Sequence, residues 1–495
     1  MKVRRRSWHV AVTYGSVSVV TNRAMLFLAV LGEPCVFWQE DCEVCGGSRR
    51  GTMRFVSRVG VRFGFVLVVV LVGREAHAGI ACTQAAFEAA LQAACSGGSK
   101  TITFDSSCRN AVISVTPGNR SRREVACDGV VIDGQDLNVT FEMTPAWWMT
   151  NHCDTNGDGV YAETCDTNGD GAPDACPEYE AGDWFLMVRG NNATVANLTV
   201  RHFWDGVHFD SATHGNTVMN CHFKKQADDS FTNEEGAWGN TFAHNTLEDH
   251  CDKGIQIYGR DRGASSGYDL EILNNTFTNV DQPIRANHSG RFLAEGNLIQ
   301  EVSAGALYHC QGPRFDGNQM AVYWQGNTVS QCLRGLRVSG DVHLIATEGN
   351  LFVRNRYRGL YLYDNANGSP RGLVQESSFE ENGGSTSSED GYGGIAVKGS
   401  AQVDAGGGSF TLDGVAMRSI GGNSFLRNKS ATDPTLDVYN LGSVTLKAES
   451  NWWGDGDPSD QVSGSVDFAP ALAGPPQQGT LPEPPSNLQR TDTKP

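Results

Sequence analysis

A short phrase recurs along the chain from about residue 185 onward, and it restricts the fold more than any other feature. An asparagine is followed within one to three residues by Phe, Leu or Val, as in Asn220-Cys-His-Phe223. The steps between these asparagines, counted from Asn220 to Asn350, are 25, 30, 22, 30 and 23 residues. Such a period predicts stacked coils rather than a single sandwich. The repeat comprises Asn220, Asn245, Asn275, Asn297, Asn327, Asn350 and Asn423.

Short segments between the asparagines alternate apolar and polar residues with a period of two, at 206–209, 254–257, 335–338 and 359–362. This alternation is typical of strands with one buried face. Asparagine also tolerates the left-handed turn that would separate two strands of a coil. We therefore predict an all-β fold, a right-handed parallel β-helix (solenoid). A propeller would need about four strands per ~40 to 50 residues with blade motifs, which are absent.

Stacked coils leave open apolar ends that must be capped. Residues 83–94 (TQAAFEAALQAA) predict a capping helix with Thr83 at its N-cap and Phe87, Leu91 and Ala94 on one face. The β-helix domain is predicted to span residues 79–470. The polar, proline-rich residues 471–495 are predicted to be a disordered tail.

The first 78 residues are basic, with 11 Lys and Arg against 5 Asp and Glu. Met53 opens a run of arginines that leads into the apolar stretch 63–72 and then Ala76-His77-Ala78. This is the pattern of a secretory signal peptide cleaved near Ala78, and the apolar stretch is too short to span a bilayer. We assign residues 53–78 to the signal peptide and give residues 1–52 no function. The protein is expected to be secreted or periplasmic.

Eleven of the 14 cysteines follow Ala78, which in an exported chain indicates disulfides. A zinc cluster is a poorer interpretation because this region has no CxxC pair. Sequence does not determine the connectivity, and an odd count leaves one thiol unpaired. Pairing of sequence neighbours would give Cys82–Cys95, Cys108–Cys127, Cys221–Cys251 and Cys310–Cys332.

The sequence CDTNGDG occurs at 153–159 and again at 165–171. Alternate oxygen ligands with glycine at a sharp turn suit a Ca²⁺ loop, although Cys165 stands where an EF-hand would have glutamate. The segment 153–176 instead resembles the calcium-binding repeats of thrombospondin type 3. A solvated acidic loop without an ion is the alternative. The resemblance implies structural Ca²⁺ ligands at Asp154, Asn156, Asp158, Asp166, Asn168, Asp170 and Asp174.

A second group of motifs lies between residues 204 and 291. It reads DGVHF at 205–209, NTVMNCHF at 216–223, ADD at 227–229, HCDKG at 250–254 and QPIR at 282–285. In this order the motifs resemble those of secreted pectate lyases. The resemblance implies a Ca²⁺-assisted β-elimination on polygalacturonate or a related acidic polysaccharide, in which calcium bridges carboxylates to the uronate.

Under this resemblance, Asp228 matches a calcium carboxylate, with Asp205 and Asp229 beside it as further possible ligands. Lys253 would neutralise the substrate carboxylate, and Arg285 would be the catalytic base. His250, Tyr258 and Trp204 are candidate substrate-binding residues. The chain departs from the family pattern at Asn220, Thr232, Cys251 and Asp281.

Two other functions remain open. The Asp205, Asp228–Asp229 and His250 motifs also resemble polygalacturonase, a glycoside hydrolase in which paired carboxylates act as acid and base. The chain could also be a non-catalytic, calcium-stiffened solenoid for adhesion or carbohydrate binding, since fold alone does not determine function. Structural interpretations compete at each residue: aspartates cap turns, Lys253 and Arg285 can form a solvated ladder, and His250 can lie in a core.

The overall charge limits the partners. The formal net charge is −17, and no basic stripe is visible, so nucleic-acid binding is not expected. A protein this acidic repels a polyanionic sugar unless bound cations invert the local potential. We expect a monomer without a membrane span that acts on an acidic polysaccharide.

Overall fold

The structure is a computed structural model that describes residues 17–21, 24–28, 79–116, 118, 120–143, 183–259, 267–302, 310–383, 393–429, 436–454 and 456–476. The chain divides into two units, Met1–His77 and Ala78–Pro495. In the first unit, the strands Val17–Thr21 and Ala24–Leu28 pair antiparallel.

The second unit is a right-handed parallel β-helix, as predicted. Each coil contributes strands to three parallel sheets, which we name sheets A, B and C in chain order. Sheet A contains Thr101–Thr103, Val131–Asp133, Thr194–Ala196, Thr217–Met219, Asn240–Ala243, Leu270–Leu273, Gly290–Glu295, Arg371–Val374, Gln402–Asp404, Leu446–Lys447 and Val466–Asp467. Sheet B contains Val112–Val115, Val139–Met143, Leu198–Arg201, His222–Lys224, Leu298–Gln300, Thr328–Ser330, Leu351–Val353, Ser378–Glu380 and Ser424–Leu426. Sheet C contains Glu124–Val125, Trp184–Val188, Asp205–Phe209, Phe231–Asn233, Arg358–Tyr363, Gly393–Gly399, Val438–Gly442 and Val462–Gly464.

Four longer strands turn a corner and belong to two sheets. Thr246–Ile257 and Thr276–Ala286 run through sheets B and C, and Arg314–Gln325 and Leu336–Thr347 run through sheets C and A. A hairpin, Ser409–Leu412 with Val415–Arg418, packs against a separate apolar cluster that includes Leu293 and Tyr323 of sheet A. The described residues include three short 3-10 helices, Ser106–Cys108, Arg120–Arg122 and Pro458–Asp460.

The core consists of inward side chains stacked from coil to coil. One column contains Phe352, Phe379, Phe425 and Trp453, with successive ring centroids 5.0, 5.3 and 4.7 Å apart. Because parallel pairing places equivalent residues one above the other, the same inward position is apolar in each coil. This arrangement confirms the stacking that the period-two alternation predicted.

The repeating asparagines have a different role from the predicted one. Asn220 does adopt a positive φ, of 53°, but in most coils the left-handed residue is the one before the asparagine, such as Gly296 before Asn297 or Asn274 before Asn275. In those coils the repeating asparagine itself points inward and is 0–1% exposed, whereas Asn220 is exposed. The Oδ1 of Asn297 accepts the backbone N–H of Asn275 at 2.9 Å, and its Nδ2 donates to the Ile272 carbonyl at 2.8 Å. Repeated from coil to coil, these bonds form an asparagine ladder that satisfies buried backbone groups at the turn between sheets A and B.

The predicted N-terminal capping helix is present as Gln84–Cys95. The Thr83 side chain accepts the backbone N–H of Ala86, which makes it the N-cap, and Phe87, Leu91 and Ala94 are buried. The fully buried Arg123 guanidinium lies 4.0 Å from Glu88 of the helix and donates to the carbonyls of Trp184 and Phe185. The helix is thereby joined to the first coils by both apolar packing and polar contacts.

The disulfides differ from three of the four suggested pairs. Cys82 pairs with Cys108, Cys95 pairs with Cys127, and Cys310 pairs with Cys332 as suggested. The buried Cys221 is free, so the suggested Cys221–Cys251 bridge is wrong. The three observed bridges join residues 22 to 32 positions apart, about one coil, whereas Cys82 and Cys95 are 13 positions apart and Cys108 and Cys127 are 19 apart.

A second ladder at the turn between sheets B and C ends on a carboxylate. Asn355, Asn382 and Asn428 are bonded in series, and Asn428 donates both its N–H and its Nδ2 to Asp437 Oδ1. Asp437 Oδ2 is buried and has no hydrogen-bond partner among the described residues. Burial raises the pKa of Asp437 to about 7, although the bonds from Asn428 oppose this.

We expect the stability of the protein to depend on pH through Asp437. Because the pKa of Asp437 is raised in the folded state, the protonated carboxyl stabilises the fold relative to the ionised one. This contribution to the free energy of unfolding is complete below the unfolded pKa of about 4 and is lost as the pH rises through about 7. Asp437→Asn should therefore lose less stability than the parent between pH 5 and pH 8. Thermal unfolding at both pH values measures this difference, and an identical pH dependence of the two proteins would contradict it.

Several predictions fall outside the described residues. These are the signal peptide at 53–78, the calcium loop at 153–176 and residues 477–495 of the predicted tail. At the start of that tail, the Leu472 N–H donates to the Asn451 carbonyl at 2.8 Å. Within the described ranges, no helix has the length and apolar character needed to cross a membrane.

Candidate functional site

The outward face of sheet C gathers most of the predicted site residues that the structure describes. Its register places one side chain of each strand in a row across neighbouring coils. Outward positions stay polar because period-two alternation sends the intervening residues, such as Val207 and Ile255, into the core. The row comprises His208, Thr232, Gln256, Arg285, Arg314, Arg337 and Tyr361.

Three carboxylates meet at the start of the sheet C strands. Asp205, Asp228 and Asp229 each offer an oxygen that lies within 4.8 Å of the others, and together they could hold a metal ion. The approach of the two coils depends on Gly206, because a Cβ there would lie 2.1 Å from the Ser230 carbonyl oxygen. The Gly206 N–H donates to the Asp229 carbonyl, and the Asp229 N–H donates to Asp205 Oδ1. We name this group the carboxylate cluster.

Lys253 neutralises the carboxylate cluster. Its Nζ lies 3.3 Å from Asp228 Oδ1 and 3.5 Å from Asp229 Oδ1, and it also contacts Asp252 Oδ2. Burial opposes the charge on Lys253, but the carboxylates of Asp229, Asp252 and Asp228 outweigh it and raise its pKa. The ammonium is therefore charged at neutral pH and only 22% exposed.

Burial also shifts the carboxyl groups around Lys253. Burial, and then the neighbouring Asp228, raises the pKa of Asp229 well above its usual range. Burial raises the pKa of Asp252 to about 6 and that of Asp281 to about 7, where the Asp252 charge contributes. Unshifted carboxyls titrate near pH 4, so the site contains groups that exchange protons near neutral pH.

His208 adjoins the carboxylate cluster and was not among the sequence candidates. Its Nε2 lies 3.1 Å from Asp205 Oδ2, its Nδ1 lies 3.6 Å from Glu234 Oε1, and its ring stacks on Trp184. Burial opposes protonation, yet Asp205 raises the pKa of His208 overall. The sequence did carry a signal for this residue, because alternation from Gly206 to Phe209 predicts an outward histidine.

Arg285 lies further along the same face. Its guanidinium is 3.1 Å from Asp316 Oδ2 and 17% exposed. Burial lowers the pKa of Arg285 and Arg314 adds to this, while Asp316 opposes both. The structure thus places Arg285 beside two groups, Asp316 and Arg314, that were not sequence candidates.

Two predicted substrate-binding residues, His250 and Trp204, are too buried to contact a polymer. His250 is fully buried, hydrogen bonds to Ser230 Oγ and the Phe223 carbonyl, and has its pKa lowered to about 3 by burial and by His222. It is a neutral core histidine that no polymer can reach.

Trp204 is 6% exposed and offers too little ring surface for a sugar. Tyr258 is half-buried, 5.7 Å from the His288 ring, and its pKa is raised to about 12 by burial and by Asp229.

The predicted calcium ligands fall into two groups. Asp205, Asp228 and Asp229 are brought together, as described above. The ligands of the calcium loop, from Asp154 to Asp174, lie outside the described residues.

Comparison with known proteins identifies no family for this chain. No protein-family model matches the chain, and no curated protein matches it. Among similar solved structures is the catalytic unit of a thermostable GH87 α-1,3-glucanase from Streptomyces thermodiastaticus, with 12% identity over 78% of this chain and 69% of that one and a TM-score of 0.40. The A-module of the mannuronan C-5 epimerase AlgE6 from Azotobacter vinelandii has 15% identity over 79% and 95%, with a TM-score of 0.34. PfbA, a surface adhesin of Streptococcus pneumoniae, has 12% identity over 74% and 88%, also with a TM-score of 0.34.

These three proteins differ in function, and the similarity is low in each case. At TM-scores of 0.34 to 0.40 the similarity supports no assignment of fold or function to this chain. Any assignment of function to this chain must rest on the residues of its own site.

Proposed function

We propose that the protein is an exported, calcium-dependent polysaccharide lyase that cleaves a uronate polymer by β-elimination at the carboxylate cluster. The observation that carries the proposal is the convergence of Asp205, Asp228, Asp229 and Lys253 on the outward face where Arg285 also lies. A uronate needs a cationic environment for its carboxylate and a group that removes the adjacent proton. Polygalacturonate is the substrate to test first.

The carboxylate cluster fits a calcium ion. Its ligands are hard oxygens, and Asp229 Oδ1 is buried without a hydrogen-bond partner among the described residues. Bound calcium would act as a Lewis acid on the uronate carboxylate. Because the ammonium of Lys253 shares these oxygens, occupation of the cluster by a cation releases Lys253 to pair with the substrate.

Charge neutralisation and proton removal each have a proposed residue. Lys253 neutralises the uronate carboxylate and so stabilises negative charge as the proton alpha to it leaves. Arg285 removes that proton, aided by burial and by the neighbouring Arg314, which both favour its neutral form. The C–O bond beta to the carboxylate then breaks, a C=C bond forms, and the leaving oxygen takes up a proton.

Arg285→Gln is expected to reduce elimination at least 100-fold without loss of folding, because a positioned proton acceptor contributes about 10²- to 10⁴-fold. The purified protein is incubated with polygalacturonate, with calcium or with chelator, and the absorbance of the unsaturated uronide is followed. The matched control is Arg354→Gln, since Arg354 is 62% exposed beside Glu381, away from sheet C. Undiminished elimination by Arg285→Gln would remove Arg285 from the mechanism.

Hydrolysis is the second candidate, favoured by one observation. Asp281 and Asp252 have pKa values raised to about 7 and about 6 by burial, so a protonated carboxyl can lie near ionised ones. A glycoside hydrolase uses such a pair as general acid and base. The same incubation separates the two reactions, since hydrolysis yields reducing ends without ultraviolet absorbance. If neither signal appears with any uronate polymer, a binding solenoid is the better assignment.

The proposed location is outside the cytoplasm. Three disulfides among the described residues support it, because disulfides persist in oxidising compartments. We propose that the mature protein acts there as a monomer on its polymer.

A further inference from the structure

A row of arginines crosses the outward face of sheet C. Arg285, Arg314 and Arg337 occupy equivalent positions on three successive strands, because Arg285 pairs with Arg314 and Arg314 pairs with Arg337. Neighbouring strands lie about 4.8 Å apart, so the guanidiniums follow one another at the spacing of the coils. We name these three residues the arginine row.

The arginine row has more positive charge than its protein neighbours neutralise. Among the described residues, the ion pairs of the row involve one carboxylate, Asp316, which lies 3.1 Å from Arg285 and 2.5 Å from Arg314. Like charges at adjacent positions of a sheet destabilise the fold, so this arrangement costs free energy when no anion is bound.

The guanidinium groups also have unused donors. The Nε atoms of Arg314 and Arg337 are buried and have no hydrogen-bond partner among the described residues. Burial, together with Arg334 and Arg314, lowers the pKa of Arg337 to about 9. Buried donors are normally satisfied, and a guanidinium matches a carboxylate through two parallel bonds. The Arg285 and Arg314 side chains are 17% and 30% exposed, so an anion with the geometry of a carboxylate can reach the row from solvent.

We propose that Arg314 and Arg337 bind the carboxylates of successive uronate units and so select an anionic polymer. The assignment of this polymer as the substrate rests on the proposed function. The substrate strand then runs across the coils from the carboxylate cluster past Arg285 toward Tyr361. Lys253 and Arg285 act at the cleaved unit, whereas Arg314 and Arg337 hold units beyond it.

The far end of the row limits how many charges are recognised. The position after Arg337 is Tyr361, which stacks on Tyr363 with ring centroids 4.6 Å apart and lies under the Arg358 guanidinium. Tyr361 provides no cation for a further carboxylate, and the adjacent Arg358 is only 4% exposed. Charge recognition therefore ends with the unit at Arg337, and a short oligouronate should fill the site.

Binding is measured by calorimetry in the presence of chelator, so that neither cleavage nor calcium bridging contributes. The probes are a hexamer of galacturonate and dextran as a neutral polymer. We expect the parent to bind the hexamer and not dextran, with affinity falling as salt is added. Arg314→Gln and Arg337→Gln should each weaken hexamer binding about 10-fold, since a charge-assisted bond is lost.

Two kinds of variant control for the possibility that a substitution weakens binding only by disturbing the fold. Arg314→Lys and Arg337→Lys keep the charge but not the paired bonds, so they should bind better than the glutamine variants and worse than the parent. Arg354→Gln should bind as the parent does. Hexamer affinity that is equal in the parent, the glutamine variants and Arg354→Gln would overturn the proposal, as would equal binding of dextran.

The outcome also distinguishes this inference from the proposed function. Hexamer binding through the arginine row by a protein that cleaves no uronate polymer supports the inference and contradicts the lyase. Elimination with a KM that Arg314→Gln leaves unchanged supports the lyase and contradicts the inference.

Discussion

Lys253→Met is expected to abolish most of the elimination activity and to make the fold dependent on calcium. The ammonium is the one cation whose contacts join Asp228, Asp229 and Asp252 in the described structure. Removing one partner from a largely buried ion pair typically costs about 3 kcal/mol, because the other charges stay buried. A fixed charge that stabilises a transition state contributes about 10²- to 10³-fold to kcat.

Calcium should separate these two effects. A divalent cation bound by the carboxylate cluster replaces the missing charge, so added calcium should raise the Tm of Lys253→Met more than that of the parent. Elimination should stay low even in calcium, because the carboxylate of the uronate still lacks its ammonium partner. Thermal unfolding and ultraviolet absorbance, each with calcium and with chelator, measure the two effects.

The matched control for this experiment is Lys224→Met. Lys224 lies on sheet B, 34% exposed, and pairs with Glu248 at 2.9 Å. A pair this exposed contributes little, so the control should keep its activity and show the calcium response of the parent. If calcium raised the Tm of Lys253→Met no more than that of Lys224→Met, the carboxylate cluster would not be a calcium site.

Asn297→Ala is expected to lower the free energy of unfolding by about 3 to 5 kcal/mol. The Asn297 side chain accepts the Asn275 N–H at 2.9 Å and donates to the Ile272 carbonyl at 2.8 Å and to Asn327 Oδ1 at 2.8 Å. Alanine leaves these groups buried without partners, at about 1 to 3 kcal/mol for each. Asn297 lies in a central coil, and each coil of the stack is held only by its two neighbours.

Urea unfolding followed by circular dichroism measures this loss as a lower midpoint at unchanged slope. Asn318→Ala is the matched control, because Asn318 is an exposed asparagine on the long strand Arg314–Gln325. A surface substitution of this kind changes stability by about 0.5 kcal/mol or less. Equal midpoints for the two variants would show that the ladder asparagines do not hold the coils together.

The sequence predicted the fold well because its signals are local and repeated. The spacing of Asn245, Asn275, Asn297 and Asn327 gives the number of residues in each coil, and the alternation around Ile255 gives the buried face. The cap helix followed from Thr83 and the apolar face behind it. The role of the asparagines was mistaken, because sequence cannot tell a left-handed turn residue from an inward amide one position later.

The site was predicted only in part, because burial and register decide which side chains meet. The aspartates and Lys253 were identified by resemblance, yet the same resemblance selected His250, which lies in the core beside Ser230. Arg314 and Arg337 were missed because no local motif marks them. They become neighbours only through strand pairing.

The sequence by itself determined the parallel β-helix, its capping helix and the set of residues available for chemistry, because periodicity and capping act over a few residues. The tertiary structure alone decided the disulfide partners, the burial of His250 and Trp204, and the arginine row. These depend on which residues of successive coils are paired, and coils of 22 to 30 residues do not place equivalent positions at a constant spacing. Arg285 and Arg314 are 29 positions apart and Arg314 and Arg337 are 23 apart, yet both pairs are in register.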